Sequence, residues 1–188
     1  MDDLALSPRR AALLVIDLQE RLVPAMPPAI AERVIANTRI AIAAAARLDM
    51  PIVVTEQYPK GLGPTVAPIE EALAAAPVVH RFDKLAFSAC STDAFAALWP
   101  ALRRDQWLVA GMEAHVCVWQ SVRDLRGKAA HVHVLTDAVS SRTKANWRIG
   151  TGLSAAAGAH LSSTEVALFD LLGRAGTDAF KALSKLIK

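Results

Sequence analysis

Residues Ala11–Ile16 read AALLVI, six apolar residues with no polar residue at alternate positions. A strand with one wet face alternates. An unbroken run this short suits a strand covered on both faces, as in the parallel sheets of α/β proteins. Further short strands are predicted at Ile52–Thr55, Val78–Phe82, Trp107–Ala110, Val132–Leu135 and His160–Ser163. Between them lie helical patterns. Ala29–Leu48 carries Ile30, Val34, Ile35, Thr38, Ile42 and Ala45 at helical spacing, and Pro51 ends it. Ile69–Ala76 reads as a short helix, and Ser91 or Thr92 can cap one running to about Arg104. A helix leads from the Gly111–Val116 turn to Arg126, with Gly127 at its end. Residues 142–158 are helical with glycine interruptions, Thr164 caps a helix to Leu172, and Thr177–Ile187 is amphipathic. Glu56–Pro68, rich in Pro and Gly, reads as a long irregular loop of the functional kind. Strand and helix alternate about six times, which predicts an α/β three-layer, Rossmann-like fold with a mainly parallel six-stranded sheet flanked by helices. The 188 residues read as one domain.

Three strands run into a polar residue at or near their carboxyl ends: Asp17 after LLVI, Lys84 in RFDKLAFSA, and Cys117 in VAGMEAHVCVW. In a parallel sheet all such ends lie on one edge, the edge where ligands bind. A cysteine is commonly a core residue. Cys117, however, follows a strand, a glycine-containing turn and a helix start, where backbone amides are expected to lower a thiol pKa and to stabilise an oxyanion. Asp17 could simply cap a turn. As a functional group it would be a general base, taking the thiol proton and later activating water. Lys84 could be solvated, or it could stand between carboxylate and sulfur and orient both. Cys90 has no such context and reads as core. His131 and His133 alternate along a strand and suggest an exposed or edge position, while His115 could line the pocket or carry protons.

Composition narrows the function. Hydrophobic residues make up 53% of the chain and aromatics only 5%, so the core must be built mainly from Ala, Leu, Val and Ile. That apolar content also suggests surface buried between copies, hence a homo-oligomer. The net charge is +3, and Arg9–Arg10 and Arg103–Arg104 are isolated pairs, so no nucleic-acid partner is expected. The stretch MDDLALSPRR lacks the apolar segment of a signal peptide, and no run reaches the ~20 apolar residues that span a bilayer. Two cysteines make no disulfide framework; a cytoplasmic protein with reduced thiols and no membrane partner is expected. There is no G-x-S-x-G elbow, dinucleotide fingerprint or P-loop.

The segments LLVIDLQ, KLAFSA and GMEAHVCV together resemble the isochorismatase-like cysteine hydrolases, a group that includes nicotinamidases and N-carbamoylsarcosine amidases. The resemblance runs from LLVIDLQE to the C-terminal helix. TEQYPKGLG, EAHVC and DAVSS look most like the subgroup of animal isochorismatase-domain proteins and bacterial YcaC-type hydrolases. It implies a catalytic aspartate at Asp17, the lysine at Lys84 and the nucleophile at Cys117. It further implies a non-proline cis peptide at Met112–Glu113, aiming the amides of Glu113 and Cys117 into an oxyanion hole. Gln19 would support the site. Gln57, Tyr58, Phe87, His115 and Trp119 are candidates for contacting substrate. Nicotinamidases hold a metal through an aspartate and histidines in the loop after the second strand. Here that loop reads EQYPKGLGPT without histidine, so no metal and no cofactor are expected.

The expectation is therefore a cysteine hydrolase acting on a small amide-like substrate through a thioester-type intermediate. Two alternatives stand beside it: vinyl-ether hydrolysis of the isochorismatase type, for which no arginine cluster is visible near these motifs, and a non-catalytic binding or assembly module on the same fold.

Overall fold

The computed structural model describes residues 4–187. Residues 1–3, which open the N-terminal stretch read above, and residue 188 lie outside the described residues. Six strands form one sheet: β1 (Ala11–Ile16), β2 (Ile52–Gln57), β3 (Val79–Lys84), β4 (Gln106–Met112), β5 (His131–Ser140) and β6 (His160–Ser162). Their order is β3-β2-β1-β4-β5-β6 and every pairing is parallel. The helices are α1 (Pro28–Arg47), α2 (Pro59–Leu62), α3 (Ala67–Leu73), α4 (Asp93–Leu102), α5 (Trp119–Gly127), α6 (Lys144–Ala156), α7 (Thr164–Leu172) and α8 (Asp178–Leu183).

β1 is buried along its whole length because it is central and covered on both faces. Its residues divide strictly by parity. Leu13 and Val15 pack with Leu108, Ala110 and the α1 residues Val34 and Ile42, while α3 and α7 add Ile69 and Leu171 to that layer. Leu14 and Ile16 face the other way, with Trp107, Val109, Phe95 of α4, and Val122 and Leu125 of α5. The scarce aromatics gather in this second layer, where Trp99 and Trp107 stack at 5.6 Å and Phe95 leans on both. The chain runs β1-β2-β3 to one side and then returns to place β4 on the other side of β1. Strand order thus reverses between β1 and β4, and the crevice beyond their carboxyl ends is the ligand-binding position of such sheets.

Several boundaries differ from the sequence expectations for local reasons. The loop after β2 is not wholly irregular: β2 continues to Gln57, Tyr58 turns left-handed (φ 39°), and Pro59 starts the single turn α2. Thr92 rather than Ser91 caps α4, accepting the Phe95 N–H. Ser163 rather than Thr164 caps α7; the Thr164 hydroxyl instead pairs with the Asp137 carboxylate. β5 runs well past Leu135 to Ser140 because it pairs with β4 through Gly111 and Met112. The last helix breaks at Leu183 into a 3-10 turn over Ser184–Ile187.

His133 lies on an inner strand and is only 5% exposed, so the edge or exposed position read from alternation is corrected. Its Nε2 has no hydrogen-bond partner among the described residues, and its ring sits 4.9 Å from that of His160. Burial, aided by the positive charge available to His160, pushes its pKa down from 6.5 to about 4. The folded state therefore binds fewer protons than the unfolded one between those values. The associated stability is complete above pH 6.5 and is lost as pH falls towards 4. The shift corresponds to about 3 kcal/mol. His133→Phe should lose that much less stability than the wild type between pH 7 and 4, measured by urea midpoints. Parallel losses in both proteins would refute the assignment.

Candidate active site

Register delivers the polar residues to one place. Gln57 at the end of β2 pairs with Lys84 at the end of β3, and Thr55 pairs with Ile16, just before Asp17. Asp17 leaves β1 in a left-handed conformation (φ 53°), which aspartate tolerates better than most side chains. Its carboxylate is fully enclosed. One oxygen accepts the Thr55 hydroxyl at 2.7 Å and the other accepts Lys84 Nζ at 2.6 Å. Lys84 Nζ also donates to Gln57 Oε1 at 2.7 Å, and that amide oxygen lies 4.0 Å from Cys117 Sγ. Both Asp17 and Lys84 act directly on the Cys117 thiol. The structure thus gathers Asp17, Lys84, Cys117 and Gln57 into one cluster. Thr55, which sequence reasoning passed over, belongs to it as well. In the sequence it reads only as the last residue of a buried strand.

Cys117 sits in a widened turn rather than in a regular helix start. The Met112–Glu113 peptide is cis. The Glu113 carbonyl then accepts from Val116 N at 3.0 Å and from Val118 N at 3.2 Å, the second bond spanning five residues as in a π-turn. Ser121 Oγ fastens this turn from below, donating to the Cys117 carbonyl at 2.7 Å while accepting the Ala89 N–H at 2.9 Å. Two glycines make room. At Gly111 (φ 122°) a side chain would strike the backbone of Ile16, and at Gly150 of α6 it would strike the Ala114 carbonyl. The strand carrying Asp17 and the turn carrying Cys117 are held by these close backbone approaches.

The thiol differs from expectation. Its pKa is pushed up to about 12, first by burial and then by the Asp17 charge, which together outweigh Lys84. Cys117 is 5% exposed. The amides of the turn do not reverse that balance. Burial also raises Asp17 above the usual carboxylate value, against the opposing pull of Lys84. Near neutrality Cys117 is therefore a thiol, beside the 2.6 Å Asp17–Lys84 contact.

The remaining candidates lie on the surrounding segments. Gln19 is wholly buried and serves the backbone: its amide donates to the carbonyls of Gln57 and Gly63 and accepts the Gln57 N–H. It staples the loop beyond β2 to the segment after Asp17. Tyr58 and Phe87 are each 51% exposed, on the loops that follow β2 and β3. His115 Nδ1 is 3.0 Å from Ser141 Oγ. Trp119 is half-buried at the start of α5. The Glu113 carboxylate is held by the Arg142 backbone N–H and guanidinium. Among the described residues, no group of three or more His, Cys, Asp or Glu could hold a metal ion.

Residues 11–166 match the Isochorismatase domain. The chain belongs to the isochorismatase family of hydrolases. A curated member, the secreted isochorismatase effector Isc1 of Phytophthora sojae, is 40% identical over 187 residues, covering 97% of this chain and 87% of that protein. The MAR1 ribonuclease of Caenorhabditis elegans is 37% identical, covers 97% of this chain and 92% of its own, and superposes with a TM-score of 0.89. The YcaC protein of Escherichia coli, described as an octameric hydrolase of unknown specificity, shares the fold at a TM-score of 0.84. It is 20% identical and covers 97% of this chain and 90% of its own. In this isochorismatase family member, no described helix is long and apolar enough to cross a membrane.

Proposed function

We propose that the chain is a cysteine hydrolase of small amide-like substrates, with Asp17, Lys84 and Cys117 as its catalytic residues. The observation that supports this most is the enclosed Asp17–Lys84 contact of 2.6 Å lying against the Cys117 thiol. A buried ion pair contributes little net stability, because desolvation offsets its attraction. At the switch point of the sheet, beside a nucleophile, it has a chemical use.

A thiol of pKa about 12 is roughly one part in 10⁵ thiolate at neutral pH, so proton removal must accompany attack. Asp17 takes the proton as Cys117 Sγ bonds to the carbonyl carbon. The developing oxyanion is met by the amides of Glu113 and Cys117. Asp17 then passes that proton to the leaving nitrogen as the C–N bond breaks, leaving a thioester and a free amine or ammonia. Water attacks the thioester, giving one proton to Asp17 and releasing the acid; the C–S bond breaks and the thiol regains its proton. Lys84 keeps Asp17 oriented and offsets negative charge throughout. Gln57 positions Lys84, Gln19 braces the loop, and Tyr58, Phe87, His115 and Trp119 surround the entering group.

Cys117 is only 5% exposed, which favours a small substrate over a nucleic acid. The name of the Caenorhabditis elegans neighbour supplies the rival, an RNA substrate. Its test and the test of the main reading are one experiment. Small amides and ureides, and separately single-stranded RNA, are incubated with the protein, quenched in acid and followed by intact mass. An acyl adduct on Cys117 with amine release supports the hydrolase. RNA cleavage without any adduct would sink it.

The protein is further proposed to be a cytoplasmic homo-oligomer without metal or cofactor. Both thiols are free, as a reducing compartment requires. Ile149 and Leu153 of α6, Leu161 of β6 and Phe169 of α7 are exposed apolar side chains that a second copy could cover. A monomer by light scattering would remove the oligomer.

A further inference from the structure

A cleft with a volume of about 370 Å³, within the usual range for small-ligand sites, opens beside the carboxyl end of β5. Its walls come from the start of α1, the end of β5 and the first turns of α6. None of Asp17, Lys84 and Cys117 lines it.

Its chemistry is one-sided. Arg33 and Lys144 are its only charged lining residues, and no hydrogen bond or ion pair among the described residues engages either side chain. The nearby acids are occupied or turned away. Glu113 is taken by Arg142, and Asp137 accepts from Thr164. Glu32, beside Arg33, projects about 100° away around the helix. Ser140 and Ser141 also line it, their hydroxyls engaged by the Ser141 carbonyl and by His115 Nδ1, and Ile30, Val139 and Trp147 supply apolar lining. Two cations without a partner among the described residues, in a cleft also lined by an indole, match an anion carried on an apolar body.

We propose that this cleft is a binding site for a small aryl or alkyl carboxylate, its head held by Arg33 and Lys144 and its body against Trp147. The proposal does not rest on the hydrolytic reading, since the cleft shares no residue with the trio, although it adjoins that site through the 3.0 Å His115–Ser141 contact.

The test is calorimetry and ligand-observed NMR with benzoate, with benzamide as the neutral match and inorganic phosphate as the bare anion. Benzoate should bind with a Kd of about a millimolar or tighter. Benzamide should bind at least tenfold more weakly, and so should phosphate. The double variant Arg33→Gln/Lys144→Gln, both positions being exposed, should weaken benzoate at least tenfold with an unchanged melting temperature. Trp147→Leu should weaken benzoate but not phosphate. Cys117→Ala should bind benzoate as the wild type does, which separates failure here from failure of the hydrolase mechanism. Benzoate binding that survives the double substitution, equal binding of benzamide, or no binding at all, as when a second copy covers the cleft, would overturn the proposal.

Discussion

Cys117→Ala should abolish hydrolysis of any substrate that acylates the wild type, with a fall of at least ~10⁴-fold, while the melting temperature barely changes. The side chain removed is small: the sulfur lies 4.0 Å from Gln57 Oε1 and beside Asp17 and Lys84, which keep their bond to each other without it. The framework around it is supplied by backbone instead. Ser121 still donates to the residue 117 carbonyl, and the Glu113 carbonyl still accepts from Val116 and Val118. Losing the sulfur leaves a void smaller than a methyl group, so the cost in stability should stay below about 1 kcal/mol. Steady-state release of amine, measured beside thermal melts of both proteins, checks this. Retained turnover in the alanine variant would leave the vinyl-ether mechanism, which needs the aspartate but no thiol. Equal loss of fold and activity would leave the sulfur's role unproven and remove the argument built on it.

The parts of the site written in strand ends are legible in the chain; the parts written in packing are not. β1 can be read directly because six unalternated apolar residues have few other uses, and the residue after such a strand lies on the functional edge whatever the loops do. Lys84 is visible for the same reason. Thr55 looks like the last residue of a buried strand, and only the parallel register with Ile16 turns its hydroxyl into a partner of Asp17. Gln19 stands two residues from Asp17 and reads as a site residue, yet its amide is spent on loop carbonyls. Gly150 appears as an interruption of a helix, and only contact with Ala114 explains it. The thiol pKa is the largest departure. A helix start predicts depression, a local rule, whereas burial and the Asp17 charge depend on what the fold brings near. The cations of the cleft are hidden in the same way, since Arg33 and Lys144 are far apart in sequence and line one cleft only because α1 and α6 both flank the end of β5.

Asp17→Asn should move two readouts of the same sulfur in opposite directions. Turnover should fall by about 10²–10⁴-fold, the usual contribution of a positioned general base. The Cys117 thiol, in contrast, should become easier to ionise. In the wild type burial is the main push on the thiol pKa towards about 12; the Asp17 charge and its hydrogen bond add to it, while Lys84 pulls it down. Asparagine removes the carboxylate charge and leaves Lys84, which becomes the partner of a thiolate. The pH at which a small neutral alkylating reagent reaches half its maximal rate should therefore drop, and labelling at pH 8 should accelerate. The variant should also be less stable, since Lys84 keeps only Gln57 Oε1 as acceptor. Breaking a buried pair costs about 3–5 kcal/mol, which for a chain of this size lowers the melting temperature by roughly 6–20 °C. Wild-type activity should disappear on the acid side as Asp17 protonates, above the ordinary carboxylate pKa because burial raises it. The residual activity of the variant should lack that limb. A carboxylate that merely held the loop together would slow alkylation and turnover alike, because both would suffer from a misplaced sulfur. Faster labelling combined with lost hydrolysis has one reading: the proton leaves the thiol more readily, but nothing remains to receive it in the step and return it to the leaving nitrogen.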